Sequence, residues 1–204
     1  ELAPAVLRHI AASGLYGGSL RARLSRELSG DRFHHTLAVA RMAASLALRH
    51  GLDPVRAALA GLLHDCGRAI PAPRLAAYAR ARRLRAPALE ETAAHAPVLL
   101  HAYASEERAR RVYGVRDPAV LSAVRKHKLG DRRMSPLDRL FFTADACSED
   151  RGYPEAAGIR RAARAGLDRG FRAAVRAKLE DVLRAGAWIH PQTAATWNAS
   201  REEA

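Results

Sequence analysis

The feature that most constrains this chain is an apolar run that ends in a histidine and a carboxylate. It reads Ala60-Gly61-Leu62-Leu63-His64-Asp65-Cys66-Gly67-Arg68. Such a run predicts the buried end of a helix, where a carboxylate without a partner is costly. Hydrogen-bonded partners or a bound cation could each stabilise the pair there. The His-Asp dipeptide alone is common, so its meaning depends on the rest of the chain.

Four further residues turn the dipeptide into an ordered series. Each lies at the edge of an apolar, helix-like stretch: His35, His101, His127 and Asp145. Any one of them has a structural explanation, as a core histidine bonded to a carbonyl or as an aspartate that caps a helix. Six such residues spread over four or five helices favour a shared metal site instead. Imidazole and carboxylate ligands in this ratio suit iron, manganese, zinc or nickel rather than calcium or magnesium.

The composition and the helix-start signals predict an all-α protein. Aromatic residues make up only 5% of the 204 residues, and alanine and leucine dominate, which favours helices over sheets. Asp-Pro or Ser-Pro pairs at Asp53, Asp117 and Ser135 mark three helix starts, the last with Asp138 placed for a capping box. Gly51 ends a periodic helix that begins near residue 32. We predict a single-domain helical bundle over 31–204, a helical extension over 1–30, and a surface helix with loops over 70–89.

The formal net charge of +13 raises the question of a nucleic-acid partner. The arginines are scattered over many predicted helices and few aromatic residues lie among them, which is typical of solvated faces. We therefore expect no dedicated nucleic-acid site, although a positive field suits an anionic substrate. No stretch resembles a membrane span or a secretory signal, and two cysteines are too few for a disulfide framework. These observations predict a cytoplasmic protein without a membrane partner.

Several motifs resemble one known family. They are Arg32-Phe33-His34-His35, Ala60 through Asp65, Leu99-Leu100-His101-Ala102, Ala144-Asp145, and Ile189-His190-Pro191-Gln192-Thr193 followed by Trp197-Asn198. Together they resemble the HD-domain metal-dependent phosphohydrolase superfamily, and within it the symmetrical diadenosine tetraphosphate hydrolases of the YqeK type. The resemblance covers nearly the whole chain. His34 is a rival ligand to His35, but the register of the first motif favours His35.

The resemblance implies a dinuclear centre inside an HD-type helical bundle. The metal would be iron, with manganese, nickel, cobalt or zinc as alternatives. One ion would be held by His35, His64, Asp65 and Asp145, and Asp65 would bridge to a second ion bound by His101 and His127. A hydroxide between the ions would attack a dinucleoside polyphosphate and release two ADP. Two cations would lower the pKa of bound water and neutralise the leaving group, so no protein nucleophile is needed.

Three basic residues flank the predicted ligands, and we expect them to contact the polyphosphate: Arg68, Lys128 and Arg151. Asp65 and Arg68 would be the catalytic side chains, and Lys126 is predicted to be a solvated lysine at a helix end. The loops after His127 and Asp145 depart from the family pattern. Two alternatives therefore stay open: a phosphatase or phosphodiesterase for another nucleotide, and a non-catalytic module that binds a nucleotide or the ribosome. The oligomeric state also stays open, with a homodimer as one option.

Overall fold

The computed structural model describes residues 20–202, and this part of the chain is built from helices. The eleven α-helices are α1 (Leu20–Glu27), α2 (Gly30–Arg49), α3 (Pro54–Leu63), α4 (Leu75–Ala81), α5 (Leu89–His95), α6 (His101–Arg111), α7 (Pro118–Lys126), α8 (Pro136–Cys147), α9 (Pro154–Ala165), α10 (Leu167–Arg184) and α11 (Pro191–Glu202). Short 3-10 turns cover Cys66–Ala69, Ala72–Arg74 and Pro97–Leu100. Residues 20–202 contain no strand, and the all-α prediction is confirmed.

Helices α3, α7 and α8 begin at the predicted caps. The Asp53 carboxylate accepts hydrogen bonds from the first backbone N–H groups of α3, and Asp117 does the same for α7. Ser135 and Asp138 form a reciprocal capping box at the start of α8. A proline follows each cap at the first helical position, where its missing N–H is not needed. These local contacts fix where each helix begins, and therefore where the site residue at its far end lies.

The core forms around the close contact of α2 with α3. A Cβ atom on Gly61 would lie only 2.4 Å from the Cα of Ala40, so a glycine is required at this crossing. Phe141 and Leu140 of α8 are fully buried in the same apolar cluster. Helix α2 ends as predicted, with Gly51 in the left-handed region at a φ of 68°. The contact brings the start of α2 and the end of α3 together at one end of the bundle.

The structure describes only part of the predicted N-terminal extension. Residues 1–19 lie outside the described residues, so the extension predicted over 1–30 stays a prediction for most of its length. In the described part of that segment, Leu20, Leu24 and Leu28 are buried in the main core. The segment 70–89 forms α4 with its flanking turns and loops, as expected, and Leu75 packs in a smaller apolar cluster.

The environment of Lys126 corrects one expectation. We predicted a solvated lysine, but only 8% of this residue is exposed. Its Nζ donates to Oδ2 of Asp138 at 2.8 Å and to the carbonyl of Arg133 at 2.6 Å. The prediction was wrong because Asp138, recognised only as a capping residue, also serves as a buried ion-pair partner. Separately, none of the helices within 20–202 has both the length and the apolarity needed to cross a membrane.

Candidate metal centre

The structure brings the six predicted residues together at one end of the bundle. They come from five places in the chain: His35 from α2, His64 and Asp65 from the end of α3, His101 from the start of α6, His127 from the end of α7, and Asp145 from α8. Neighbouring imidazole rings have centroids 5.0 to 5.2 Å apart. All but His35 are buried, and the exposed fraction of the His35 side chain is 14%.

Three of the histidines are oriented by the same local contact. The Nδ1 atoms of His64, His101 and His127 each lie against the backbone carbonyl three residues earlier. These carbonyls belong to Gly61, Val98 and Val124, at 2.8, 2.6 and 2.7 Å. Because a carbonyl can only accept, each Nδ1 carries the proton and each Nε2 presents a lone pair to the centre. This second contact of the ring is the usual arrangement for histidines that bind metals.

The inward-facing atoms of His101, His127 and Asp65 form a cluster of electron donors. The Nε2 atoms of the two histidines are 3.1 Å apart. Oδ1 of Asp65 lies 3.2 Å from Nε2 of His101 and 4.0 Å from Nε2 of His127. With both Nδ1 atoms protonated, two facing lone pairs at this distance need a proton or a cation between them. The residues therefore fit a bound metal ion.

The other half of the centre contains a buried atom without a partner. Nε2 of His64 has no hydrogen-bond partner among the described residues. It lies 3.8 Å from Oδ2 of Asp65, and it groups with donor atoms of His35 and Asp145 that are all within 4.8 Å of one another. Asp65 thus presents Oδ2 to His64 and Oδ1 to His101 and His127. One carboxylate that faces two donor sets suits a bridge between two ions.

The charge states of these groups suit cation binding. Burial raises the pKa of Asp65, but the imidazoles of His64 and His101 outweigh it and hold that pKa well below its ordinary value. Asp145 behaves alike, with Lys178 and His35 opposing the effect of burial. Burial also lowers the pKa of His101, and it lowers that of His127 further together with the neighbouring imidazoles. Ionised carboxylates and neutral imidazoles are the forms that bind metals.

Three polar groups around the centre were missed by the sequence analysis. Nδ1 of His35 is 2.6 Å from Oδ2 of Asp150, and Ser148 donates to the other oxygen of Asp150 at 2.6 Å. Nζ of Lys178, from α10, donates to the His127 carbonyl at 2.8 Å and lies 3.4 Å from Oδ2 of Asp145. Only three of the 34 basic residues are lysines, and this rarity is a signal that could have identified Lys178.

Lys178 lies in a protected position above an aromatic ring. Its Nζ is 3.8 Å from the centroid of Phe142, and 19% of its side chain is exposed. Burial lowers the pKa of Lys178 to about 7, although Asp145 opposes this shift. An anion bound nearby would favour the charged form of the amine. A cavity of about 280 Å³ opens here beside Asp145, with Lys128, Arg151 and Arg184 among its lining residues.

The three basic residues expected to hold the substrate occupy different positions. Arg68 donates from Nε to Oδ1 of Asp65 at 3.3 Å, and Arg151 donates to Oδ1 of Asp145 at 2.6 Å. Lys128 lines the cavity. All three therefore surround the centre, but the two arginines also pair with carboxylates that we assign as metal ligands.

Two neighbouring residues have no place in the centre. His34 is exposed and its ring lies beside Phe33, so it does not compete with His35. Cys66 is fully buried, with its Sγ 3.4 Å from the Ser105 carbonyl. Burial raises the pKa of the Cys66 thiol to about 12, which fits a packing residue rather than a thiolate ligand.

The sequence and the fold have counterparts among known proteins. The model of the HD domain family matches residues 32–150. A Bacillus subtilis protein named bis(5'-nucleosyl)-tetraphosphatase, symmetrical, is 26% identical over 87% of this chain and 93% of its own. A Staphylococcus aureus protein of the same name is 30% identical over 68% of this chain and 70% of its own.

One solved structure has a similar fold. The crystal structure of a predicted HD superfamily hydrolase involved in NAD metabolism, from Clostridium acetobutylicum, superimposes with a TM-score of 0.84 at 25% identity. The superposition covers 91% of this chain and 96% of that one. More than half of the present chain matches the family model, and the match includes all six residues of the centre. The chain therefore belongs to the HD-domain family, and it is an HD-domain hydrolase.

Proposed function

We propose that this protein hydrolyses diadenosine tetraphosphate symmetrically, into two molecules of ADP, at a centre of two iron ions. The names of the Bacillus and Staphylococcus relatives support the reaction. The observation that carries the proposal is the donor cluster of His101, His127 and Asp65, with two imidazole lone pairs 3.1 Å apart. Adjacent to it, the orphaned Nε2 of His64 supports a second cation.

The proposed ligand sets follow the two faces of Asp65. His35, His64 and Asp145 would hold one ion together with Asp65, and His101 and His127 would hold the other with the same carboxylate. When bound, two such cations would lower the pKa of a water toward neutrality and neutralise the charge that grows on the leaving phosphate. Six protein ligands of nitrogen and oxygen are compatible with iron and also with manganese, nickel, cobalt or zinc.

The side chains around the centre bind and orient the phosphate chain. Arg68 and Arg151 present guanidinium groups on opposite sides of the centre, since one pairs with Asp65 and the other with Asp145. Lys128 extends the positive charge into the cavity beside Asp145. Charges that are already in place where the phosphate charge develops stabilise the transition state without reorganisation. A dinucleotide offers a longer chain to these groups than a mononucleotide, so the remote contacts favour it.

The test combines metal analysis with product analysis. We expect purified protein to hold two transition-metal ions per chain and to convert diadenosine tetraphosphate into ADP as the only nucleotide product. In isotopically labelled water, one ADP per turnover should carry the label. AMP together with ATP would overturn symmetrical cleavage, and no turnover by protein that holds both ions would overturn the hydrolase assignment for this substrate.

A matched pair of variants separates the centre from its surroundings. His35→Gln removes a proposed ligand, and His34→Gln changes its exposed neighbour on the same helix. We expect the first variant to lose metal and activity together and the second to keep both. Equal metal content and activity in the two variants would remove His35 from the ligand set.

A further inference from the structure

A second cavity adjoins the one beside Asp145. Its volume is about 80 Å³, and it lies between α10 and the segment that leads into α11. Its walls are mainly apolar: Leu99, Phe142, Val175, Val182 and Trp188, with the hydroxyl-bearing Thr193. Lys128 and Lys178 line both cavities. The two cavities therefore adjoin at these two lysines, and the first of them is also lined by Asp145.

The aromatic wall of this cavity is held in place by neighbouring rings. Trp188 stacks on His95, with ring centroids 5.2 Å apart and planes 27° apart. His190 contacts the same indole edge-on at 5.3 Å, and its Nδ1 accepts the backbone N–H of Gln192 at 3.0 Å. An indole fixed in this way offers a flat, apolar surface without the entropic cost of ordering a mobile side chain.

The mouth of the cavity is positively charged. Lys128 is half-buried and forms no ion pair with any of residues 20–202. Lys178 shares the mouth, with its Nζ 3.4 Å from Asp145. Among the residues that line both cavities the only carboxylate is Asp181, which is exposed and lies 3.9 Å from Arg184. The occupant must therefore combine an anionic group at the mouth with a flat apolar group inside.

We propose that this second cavity is the nucleoside subsite of the enzyme, with the base lying against Trp188. Lys128 and Lys178 then hold the phosphates that follow the nucleoside, and the chain continues past Asp145 to the metal centre. The hydroxyl of Thr193, which has no side-chain hydrogen bond within the described residues, is available to the ribose or the base edge. The assignment rests on the proposed function, because it takes a nucleotide as the substrate.

The chain supplies its own optical probe for this subsite. It contains only two tryptophans, Trp188 and Trp197, and Trp197 lies on α11 against the main core. In metal-loaded Trp197→Phe protein the emission comes from Trp188 alone. We expect ADP and adenosine to quench it in a saturable manner, because a base stacks on the indole. Pyrophosphate, which has the charge without the base, should leave the emission unchanged.

Kinetics give the second readout. Trp188→Ala should raise the KM for diadenosine tetraphosphate about tenfold or more, the usual cost of losing one stacked base, with kcat within about twofold. Ile189→Ala is the matched control, because Ile189 is the next residue, 38% exposed and not part of the cavity lining. A fall in kcat with unchanged KM in Trp188→Ala would contradict a binding subsite.

The fluorescence test stands apart from the proposed reaction, because adenosine and ADP report on binding without turnover. If the protein failed to form ADP from the dinucleotide but ADP still quenched Trp188, the reaction would be wrong and the subsite would stand. If ADP bound without quenching Trp188, or if pyrophosphate quenched it equally, the subsite assignment would be overturned while symmetrical hydrolysis could still hold.

Discussion

Nη2 of Arg151 lies 2.6 Å from Oδ1 of Asp145. The same nitrogen is 3.1 Å from Nε2 of His35, which is itself 3.3 Å from that carboxylate oxygen. A guanidinium group therefore occupies the space between an imidazole lone pair and a carboxylate, where we place a metal ion. The guanidinium group balances the charge of Asp145 in the metal-free protein. A bound metal ion would balance the same charge in its place.

The first prediction concerns this exchange. Arg151→Ala should lower the free energy of unfolding of chelated protein by about 1–3 kcal/mol, because the buried Asp145 loses a charged partner. Metal should reduce this deficit, since the ion replaces the guanidinium. Denaturant unfolding of wild type and variant, each with chelator and with metal, measures the difference. A deficit that is the same under both conditions would show that Arg151 and the metal do not compete for Asp145.

The second prediction concerns the bridging role of Asp65. Asp65→Asn keeps the side-chain shape but removes the charge that we assign to both ions. We expect it to lose both metals and to lower the hydrolysis rate at least about a thousandfold, in line with the loss of the metal activation of water. Elemental analysis beside a rate assay tests this, with Asp31→Asn on the exposed start of α2 as the control. Full occupancy of both ions in Asp65→Asn would contradict the bridge.

The third prediction concerns Arg68. Arg68→Ala should lower kcat/KM by an amount equivalent to about 3–4 kcal/mol, the usual cost of one preorganised charge donor, while metal content stays at the wild-type level. Arg74→Ala, a change at an exposed residue of the next turn, should leave both quantities unchanged. Unaltered catalytic efficiency in Arg68→Ala would remove this residue from the site. Loss of metal would instead assign it to positioning Asp65.

The fourth prediction concerns the contact of α2 with α3. Gly61→Ala places a Cβ 2.4 Å from the Ala40 Cα, and such overpacking should cost about 1–3 kcal/mol of stability. Metal affinity should fall too, because the carbonyl of Gly61 orients His64. Gly158→Ala, in the interior of α9 with no close neighbour, should stabilise the protein by about 0.5–1 kcal/mol. Thermal unfolding of both variants checks the opposite signs.

The fifth prediction is the pH dependence of the metal-free protein. The pKa of His127 is well below its ordinary value of 6.5 in the folded chain, because of burial and the neighbouring imidazoles. At pH values between the pKa of His127 in the folded chain and its ordinary value, the unfolded chain binds a proton that the folded chain does not. The free energy of unfolding therefore falls as the pH falls below 6.5. His101 acts in the same direction, whereas His35, with a raised pKa, opposes it.

His127→Gln isolates the contribution of this residue. Relative to wild type, the variant should gain up to about 1.4 kcal/mol for each pH unit below 6.5, the value for one proton. Urea unfolding of chelated protein at several pH values between neutrality and about pH 5 measures the relative stability. Parallel curves for the two proteins would mean that His127 has the same pKa in the folded and unfolded chains.

The sequence predicts best what depends on local contacts. The capping residues Asp53, Asp117 and Ser135 lie within three residues of the backbone groups that they bind. Such short sequence patterns can be recognised without the structure. The six residues of the centre could be recognised because each lies at the edge of an apolar, helix-like stretch or within one. Their convergence was inferred, since no single stretch contains more than two of them.

What the sequence misses depends on distant contacts. Asp150 lies 115 positions from His35, to which it is bonded, and Lys178 lies 33 positions from Asp145. Neither residue lies in a motif, and only the packing of α10 against α8 brings Lys178 to the centre. The error over Lys126 has the same origin, because its partner Asp138 lies across the turn that joins two helices.

The bonds between three histidine rings and their own preceding turns imply that the two halves of the centre are unequal. His64, His101 and His127 are each aimed by a carbonyl three residues away, so these ligands are oriented as soon as their helix ends form. His35 is oriented instead by Asp150, which lies 115 positions away in the sequence. The ion that we propose at His101 and His127 should therefore bind first and more tightly. The ion at His35 should bind second and leave first, and its affinity should follow the order of the loop that carries Asp150.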